Sequence, residues 1–341
     1  MEKTAELKKD RLYSPKQILE EAEEYLREIN PDDSVIPASW DTVADMCLSW
    51  LQYRKSTVKR STYSCYSYCV AKHIIPSLGK LSLPELTEET LSSFKTDMKG
   101  LGLAETTIRS VLVTLKSILK YGGQTGLLDR ELTSLCAVNC RRPESRMLTV
   151  QESIVMKDYL LDRNSVFSAA ILLCRGTGIR IGELCGLKWG DINFRTNTMC
   201  IRRTVSRIPN PDTSAGQPKT ILYIRAPKSH TSAREIPIPQ YLAGILAEMK
   251  KEDDLYLLTG AKTCTEPRNV QKKFKTILKH CNMEDCNFHA MRHGFATACL
   301  EKGVDCKTVS SILGHASTRT TMEFYVHTSM RQKQDCIDKI E

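Results

Sequence analysis

Apolar residues recur at helical spacing over most of this chain, and only one short window switches to the alternation of strands. Four helices are expected between 39 and 121. Ser39 or Asp41 caps the first, whose apolar face is Trp40, Val43, Ala44, Cys47, Leu48 and Leu51. The second runs from Ser56 to Ile75 and stops at Pro76 and the Gly79 turn. Thr87 opens the third, with Leu91, Phe94 and Met98 inward, and the fourth spans Ala104 to Tyr121 before Gly122-Gly123. Further helices fall near 149–161, at 165–176 and from Arg180. Strands follow at 198–206, 220–226 and 234–238, with Pro227 to Ser232 as the turn between the last two. Helical spacing then resumes at 239–251, 267–281, 289–301, 305–313 and 317–326. The pattern predicts a mainly α protein with a small antiparallel sheet set inside its second half.

At 341 residues the chain is too long for a single core, so two domains are expected. Residues 1–38 form an acidic extension with an amphipathic helix at 15–29, broken by Asn30-Pro31-Asp32-Asp33. Residues 39–135 make a helical domain and 136–148 a basic linker carrying Arg141, Arg142 and Arg146. The second domain, 149–341, ends in a tail whose apolar anchors are Ile337 and Ile340.

The net charge of +9 is unevenly spread. Residues 1–38 hold six Lys/Arg against ten Asp/Glu, whereas 39–145 hold 14 against 10 and 146–341 hold 29 against 20. A basic surface attracts polyanions and releases their counterions, which makes nucleic acid the first partner to consider. No uncharged apolar run reaches the roughly 20 residues that span a membrane, and the N-terminus lacks a secretory apolar core, so a cytoplasmic protein with no membrane partner is expected. The 14 cysteines are scattered without a C-x-x-C pair, which reads as reduced, buried thiols.

Phosphodiester transfer needs a nucleophile, cations on the non-bridging oxygens, an acid for the leaving oxygen and help in deprotonating the nucleophile. No acidic cluster suited to two metals stands out, so side-chain cations must carry the electrostatics, and arginine's planar fork suits two phosphate oxygens. Three stretches supply such groups. G-T-G-I-R-I-G-E-L at 176–184 brings Arg180 into a helix after two glycines, with Glu183 one turn on. H-A-M-R-H-G-F-A-T at 289–297 puts His289 and Arg292 on one helix face. L-G-H-A-S-T-R-T-T-M-E-F-Y at 313–325 has His315 in a loop and Tyr325 ten residues later. His289 and His293 also form an H-x-x-x-H pair able to hold zinc, but Ala290 stands where a zinc hydrolase needs its glutamate.

These stretches, in this order and spacing, resemble the tyrosine recombinases, or phage integrase family. The match is strong over about 146–330 and weaker over the 39–121 bundle with its H-I-I-P-S-L-G-K segment. The family also carries a lysine in a β-hairpin turn, which A-P-K-S-H-T-S-A-R-E-I-P-I at 226–238 matches through Lys228, with Lys219 its rival. The resemblance implies a catalytic set of Tyr325, Arg180, Lys228, His289, Arg292 and His315. Tyr325 attacks the scissile phosphate and joins the 3′ end, while Arg180, Arg292 and His315 hold the non-bridging oxygens. Lys228 protonates the departing 5′ oxygen, His289 assists as acid or base, and Glu183 orients the site. No metal or cofactor is implied, because the phosphotyrosine conserves the bond energy. It further implies a two-domain clamp on double-stranded DNA and a homo-tetramer that assembles on that DNA from monomers and exchanges strands through a Holliday junction. Accessory DNA-bending or directionality proteins are further partners of such enzymes. The N-terminal extension and the long loop at 207–219 lean toward a mobile-element integrase. A chromosome-dimer-resolving recombinase, a type IB topoisomerase and a non-cutting DNA-binding regulator are the alternatives.

Overall fold

The computed structural model describes residues 40–124, 132–135, 146–210, 218, 220–225, 234–315, 317–322 and 338. The chain divides into two compact units, one built on residues up to Pro143 with Ile208–Ile221, the other on Glu144–Arg207 and Leu222 onward. The acidic extension 1–38 and most of the linker lie outside the described residues.

The first unit is helical: α1 Val43–Thr57, α2 Arg60–Cys69, α3 Ile75–Leu78, α4 Glu88–Gly100, α5 Glu105–Gln124 and α6 Leu132–Leu135. Trp50, Met46, Leu91, Phe94, Leu115 and Ile118 are almost wholly buried at its centre. Three expectations are corrected here. Thr42, rather than Ser39 or Asp41, caps α1, because Asp45 three residues on returns a bond to the Thr42 N–H at 2.9 Å. Pro76 does not stop the second helix. A π turn at Val70–Ile74 precedes it, and the Ile75 N–H bonds back five residues to Val70, giving a wider turn that accommodates the ring. Gly122 and Gly123 do not end α5, which runs to Gln124 with both glycines buried. Packing there outweighs a propensity penalty of about 1 kcal/mol per glycine.

The second unit begins with α7 Val150–Leu161, capped by Thr149, and α8 Val166–Thr177, capped by Ser165. Ser168 to Cys174 are all buried in α8, an apolar run that makes it the central helix, and α7, α10 and α12 pack on it. Then come α9 Ile181–Gly186, β1 Ile192–Asn193, β2 Thr198–Ile201, β3 Thr204–Pro209 and β4 Thr220–Arg225, whose residues 208–209 and 220–221 belong to the first unit, and β5 Arg234–Pro237. The remaining helices are α10 Gln240–Glu248, α11 Pro267–His280, α12 His289–Glu301, α13 Cys306–Leu313 and α14 Thr318–Met322.

The sheet differs from expectation in two ways. The single strand read at 198–206 is two strands in different sheets, parted at Arg202-Arg203. Arg203 turns aside because its guanidinium holds the buried Asp191 carboxylate at 2.7 Å and the Gly186 carbonyl at 3.2 Å. Nor do β4 and β5 pair with each other: β5 joins β2 in the antiparallel order β1-β2-β5, while β4 pairs with β3. In the β2–β5 register Met199 faces Ile236 and Ile201 faces Arg234. Met199, Ile201 and Ile236 are core residues, so strand alternation puts Arg234 on the inward side with Ile236.

Candidate active site

Gly178 ends α8 in the left-handed conformation, with φ of 67°, and two residues later Arg180 opens α9 in extended backbone. Crowding as well as the positive φ requires glycine at 178. A Cβ on Gly178 would lie 2.6 Å from Leu313 Cδ2 and 2.7 Å from Phe295 Cδ1. Glu183, in the first turn of α9, accepts the Arg180 backbone N–H at 3.0 Å and its guanidinium at 2.8 Å. The same carboxylate therefore caps the helix and aims the arginine. Glu183 is 5% exposed, yet the Arg180 side chain keeps 37% of its surface open to solvent.

Arg292 sits one turn into α12 and is 2% exposed. It donates to the Gly178 carbonyl and to the Leu313 carbonyl, both at 2.8 Å. Leu313 is the last residue of α13, whose final carbonyls have no partner within the helix. Arginines satisfy them. Arg234 Nε donates to Ile312 at 2.6 Å, Arg180 to Leu313 and Gly314 at 3.3 Å each. The negative end of α13 thus meets three guanidinium groups, which offsets the repulsion between these like charges.

The chain leaves α13 through left-handed Gly314 into His315. His315 Nδ1 lies 2.7 Å from Thr321 Oγ1 on α14, and that hydroxyl lies 2.5 Å from buried Ser310 Oγ. Val309 and Leu313 of α13 with Ala296 of α12 form the small core beneath this turn. His289, the first residue of α12, is exposed, its ring edge-on to His293 with centroids 4.8 Å apart. Asn287 accepts the Ala290 N–H at 3.0 Å and so fixes where α12 starts.

The charges act strongly on one another. Burial, then the Arg180 charge, pulls Arg292 down to about 9, so it remains a cation at neutral pH. Burial pushes the Glu183 carboxyl up, but bonding and charge from Arg234 and Arg180 outweigh it and hold the group below the usual carboxylate range. Removal from water, followed by Arg292, Arg180 and Arg234, brings His315 down to about 4. His289 keeps an exposed edge, but the partial burial of its ring, followed by the charges of His293, Arg292 and Arg180, brings it down to about 4 as well. Both imidazoles are neutral at pH 7.

Of the sequence-derived set, Arg180, Glu183, Arg292, His315 and His289 fall together here, whereas Lys228 and Tyr325 lie outside the described residues. Tyr256 is buried between Lys188 and the core, as a structural residue. The sequence reading passed over Arg234, Ser310 and Thr321. Arg234 carried a signal: it stands at a core-facing strand position, where a charge requires a buried partner. The two hydroxyls had none. Among the described residues no group of three or more His, Cys, Asp or Glu side chains could hold a metal.

The Phage integrase family profile matches residues 147–332, and the family's N-terminal SAM-like domain matches 42–99. A tyrosine recombinase XerC-like protein of Caldanaerobacter subterraneus is 27% identical over 324 residues, covering 88% of this chain and 82% of that protein. The ICEBs1 integrase of Bacillus subtilis is 21% identical over 302 residues, covering 83% and 78%. In fold, the Tn1549 transposon integrase in complex with a circular intermediate DNA superposes with a TM-score of 0.72 at 19% identity, covering 89% of this chain and all of that one. The chain belongs to the phage integrase family and is a DNA strand-exchange enzyme of the tyrosine recombinase kind.

Proposed function

We propose that the chain is a site-specific recombinase that cuts and rejoins duplex DNA through a 3′-phosphotyrosine on Tyr325, in the service of a mobile element. The observation that carries this reading is the arginine pair Arg180 and Arg292, both bonded to the last turn of α13, with His315 leaving that same turn ten residues before Tyr325.

The Tyr325 oxygen attacks phosphorus and the bond to the 5′ oxygen breaks, so one phosphodiester replaces another. Charge gathers on the two non-bridging oxygens, where the open edge of Arg180 and the Arg292 guanidinium balance it. Lys228 gives its proton to the departing 5′ oxygen. His289 and His315, neutral at rest, accept or share the proton of the attacking hydroxyl. The reverse attack by a 5′ hydroxyl of the partner duplex rejoins the strand. Exchanging both strands of two duplexes takes four cuts, one tyrosine each, which calls for four protomers around a Holliday junction. The helical domain 39–135 and the catalytic domain 149–341, joined by the basic linker 136–148, supply the DNA contacts. Accessory DNA-bending or directionality proteins set the direction of the reaction, which takes place in the cytoplasm. Among the described residues no helix is long and apolar enough to cross a membrane.

The test begins by selecting the genomic fragments that the protein retains, then placing two copies of the tightest-bound fragment on one supercoiled plasmid. Recombinant circles are expected from the wild type and not from Arg292→Ala. Relaxed plasmid without recombinants would instead make the protein a topoisomerase, and binding without either product a regulator.

A further inference from the structure

Arg234 opens β5, away from the three stretches that define the site, yet its side chain is 7% exposed and lies under the Gly314–His315 turn. Each of its three nitrogens is engaged inward. Nε donates to the Ile312 carbonyl at 2.6 Å, and the terminal nitrogens reach Glu183 Oε1 at 3.2 Å and Oε2 at 2.9 Å. Gly314 has room for nothing larger, because a Cβ there would meet the Arg234 guanidinium at 2.9 Å.

We propose that Arg234 is a positioning residue for strand cleavage: one guanidinium ties Glu183 to the last turn of α13 and thereby fixes both Arg180 and His315. The inference rests on the recombinase reading above. Its logic is electrostatic as well as geometric. Glu183 is needed to aim Arg180, but a carboxylate held by Arg180 alone would cancel the charge that a phosphate must find there. A second arginine on the same two oxygens takes up that negative charge and leaves the exposed edge of Arg180 cationic. It also sets the height of the turn from which His315 leaves α13. A residue facing inward in this way contributes little to holding DNA. Its loss is therefore expected in the chemical step and not in affinity.

The experiment compares full-length wild type with Arg234→Met, Arg234→Lys, Glu183→Gln and the Arg234→Met/Glu183→Gln double variant. Single-turnover formation of the covalent DNA adduct is measured on a nicked duplex carrying the selected fragment, at saturating protein, beside the dissociation constant for that DNA. A misplacement on the order of 1 Å costs about 100-fold in rate, so Arg234→Met should cleave about 100-fold more slowly with affinity within about threefold of wild type. Lysine keeps the charge but not the fork, and should recover about tenfold of that loss. Because Arg234 acts through Glu183, the double variant should be far less impaired than the product of the two single losses. If Arg234→Met does not fold, the Lys variant and Glu183→Gln decide: cleavage by Arg234→Lys at the wild-type rate would overturn the proposal. Arg234→Met cleaving within threefold of wild type, or losing affinity instead of rate, would do the same while leaving the recombinase reading intact. A wild type that forms no adduct removes both.

Discussion

Glu183→Gln removes the one buried anion from a cluster of three arginines, and its consequence can be worked out from the contacts. The carboxylate is 5% exposed and accepts four bonds, two of them from Arg234, whose side chain is 7% exposed. Glutamine has the same shape but offers a single acceptor, and its amide N–H groups point donors at guanidinium donors. Removing one partner of a buried ion pair costs about 3–5 kcal/mol, because the other charge is left uncompensated. For a unit of this size each kcal/mol moves the melting temperature by about 2–4 °C, so the transition of the second unit should fall by about 10 °C at pH 7. Circular dichroism melting follows this directly. The pH dependence has a defined sign. Glu183 titrates below its unfolded value, so its stabilisation is complete above the ordinary glutamate pKa of about 4.3 and is lost as pH falls through the folded value. The gap between wild type and variant should therefore be full above about pH 5 and close progressively in more acidic solution. A melting temperature within 2 °C of wild type at pH 7, or a gap unchanged at pH 3, would refute the claim that Glu183 is an ionised linchpin.

Further outcomes follow from the same geometry. Gly178→Ala forces a Cβ into left-handed backbone against Leu313 and Phe295, and should cost about 2–5 kcal/mol in urea unfolding. Thr321→Val keeps the shape but deprives His315 and Ser310 of their shared hydroxyl, at about 1–3 kcal/mol, and should slow cleavage about tenfold by freeing the imidazole. His289 and His315 are held to about 4 in the folded chain against an unfolded value of about 6.5, so the unfolded chain binds protons that the folded one refuses. Stability should fall as pH drops through that window, and His315→Gln should flatten the slope in a urea titration followed from pH 7 to 4.

Much of the architecture was legible because it depends on local signals. Thr87 announces its helix, and the inward faces of α1 and α4 follow from spacing. Misreadings arose where a tertiary contact overrode the local rule. Pro76 is tolerated because of a π turn with no sequence signature, and buried Asp191 drew Arg203 out of what looked like a continuous strand. Pairing of β5 with β2 instead of β4 is likewise set by which face carries Met199 and Ile236, not by proximity in the chain. At the site, Arg180, Arg292 and His315 were legible as motifs, whereas their anchor was not. The last carbonyls of α13 are backbone atoms, and no side-chain pattern discloses that they will cap three arginines at once.

The identity of the nucleophile decides the chemistry most directly. Wild-type protein is incubated with a nicked duplex carrying its selected fragment, the covalent adduct is digested with nuclease and protease, and the peptides are sequenced by mass spectrometry. The result expected is a nucleotide on Tyr325, joined through its 3′ phosphate, and no adduct from Tyr325→Phe. A nucleotide on any other residue, an attachment through a 5′ phosphate, or an adduct that persists in Tyr325→Phe would contradict it.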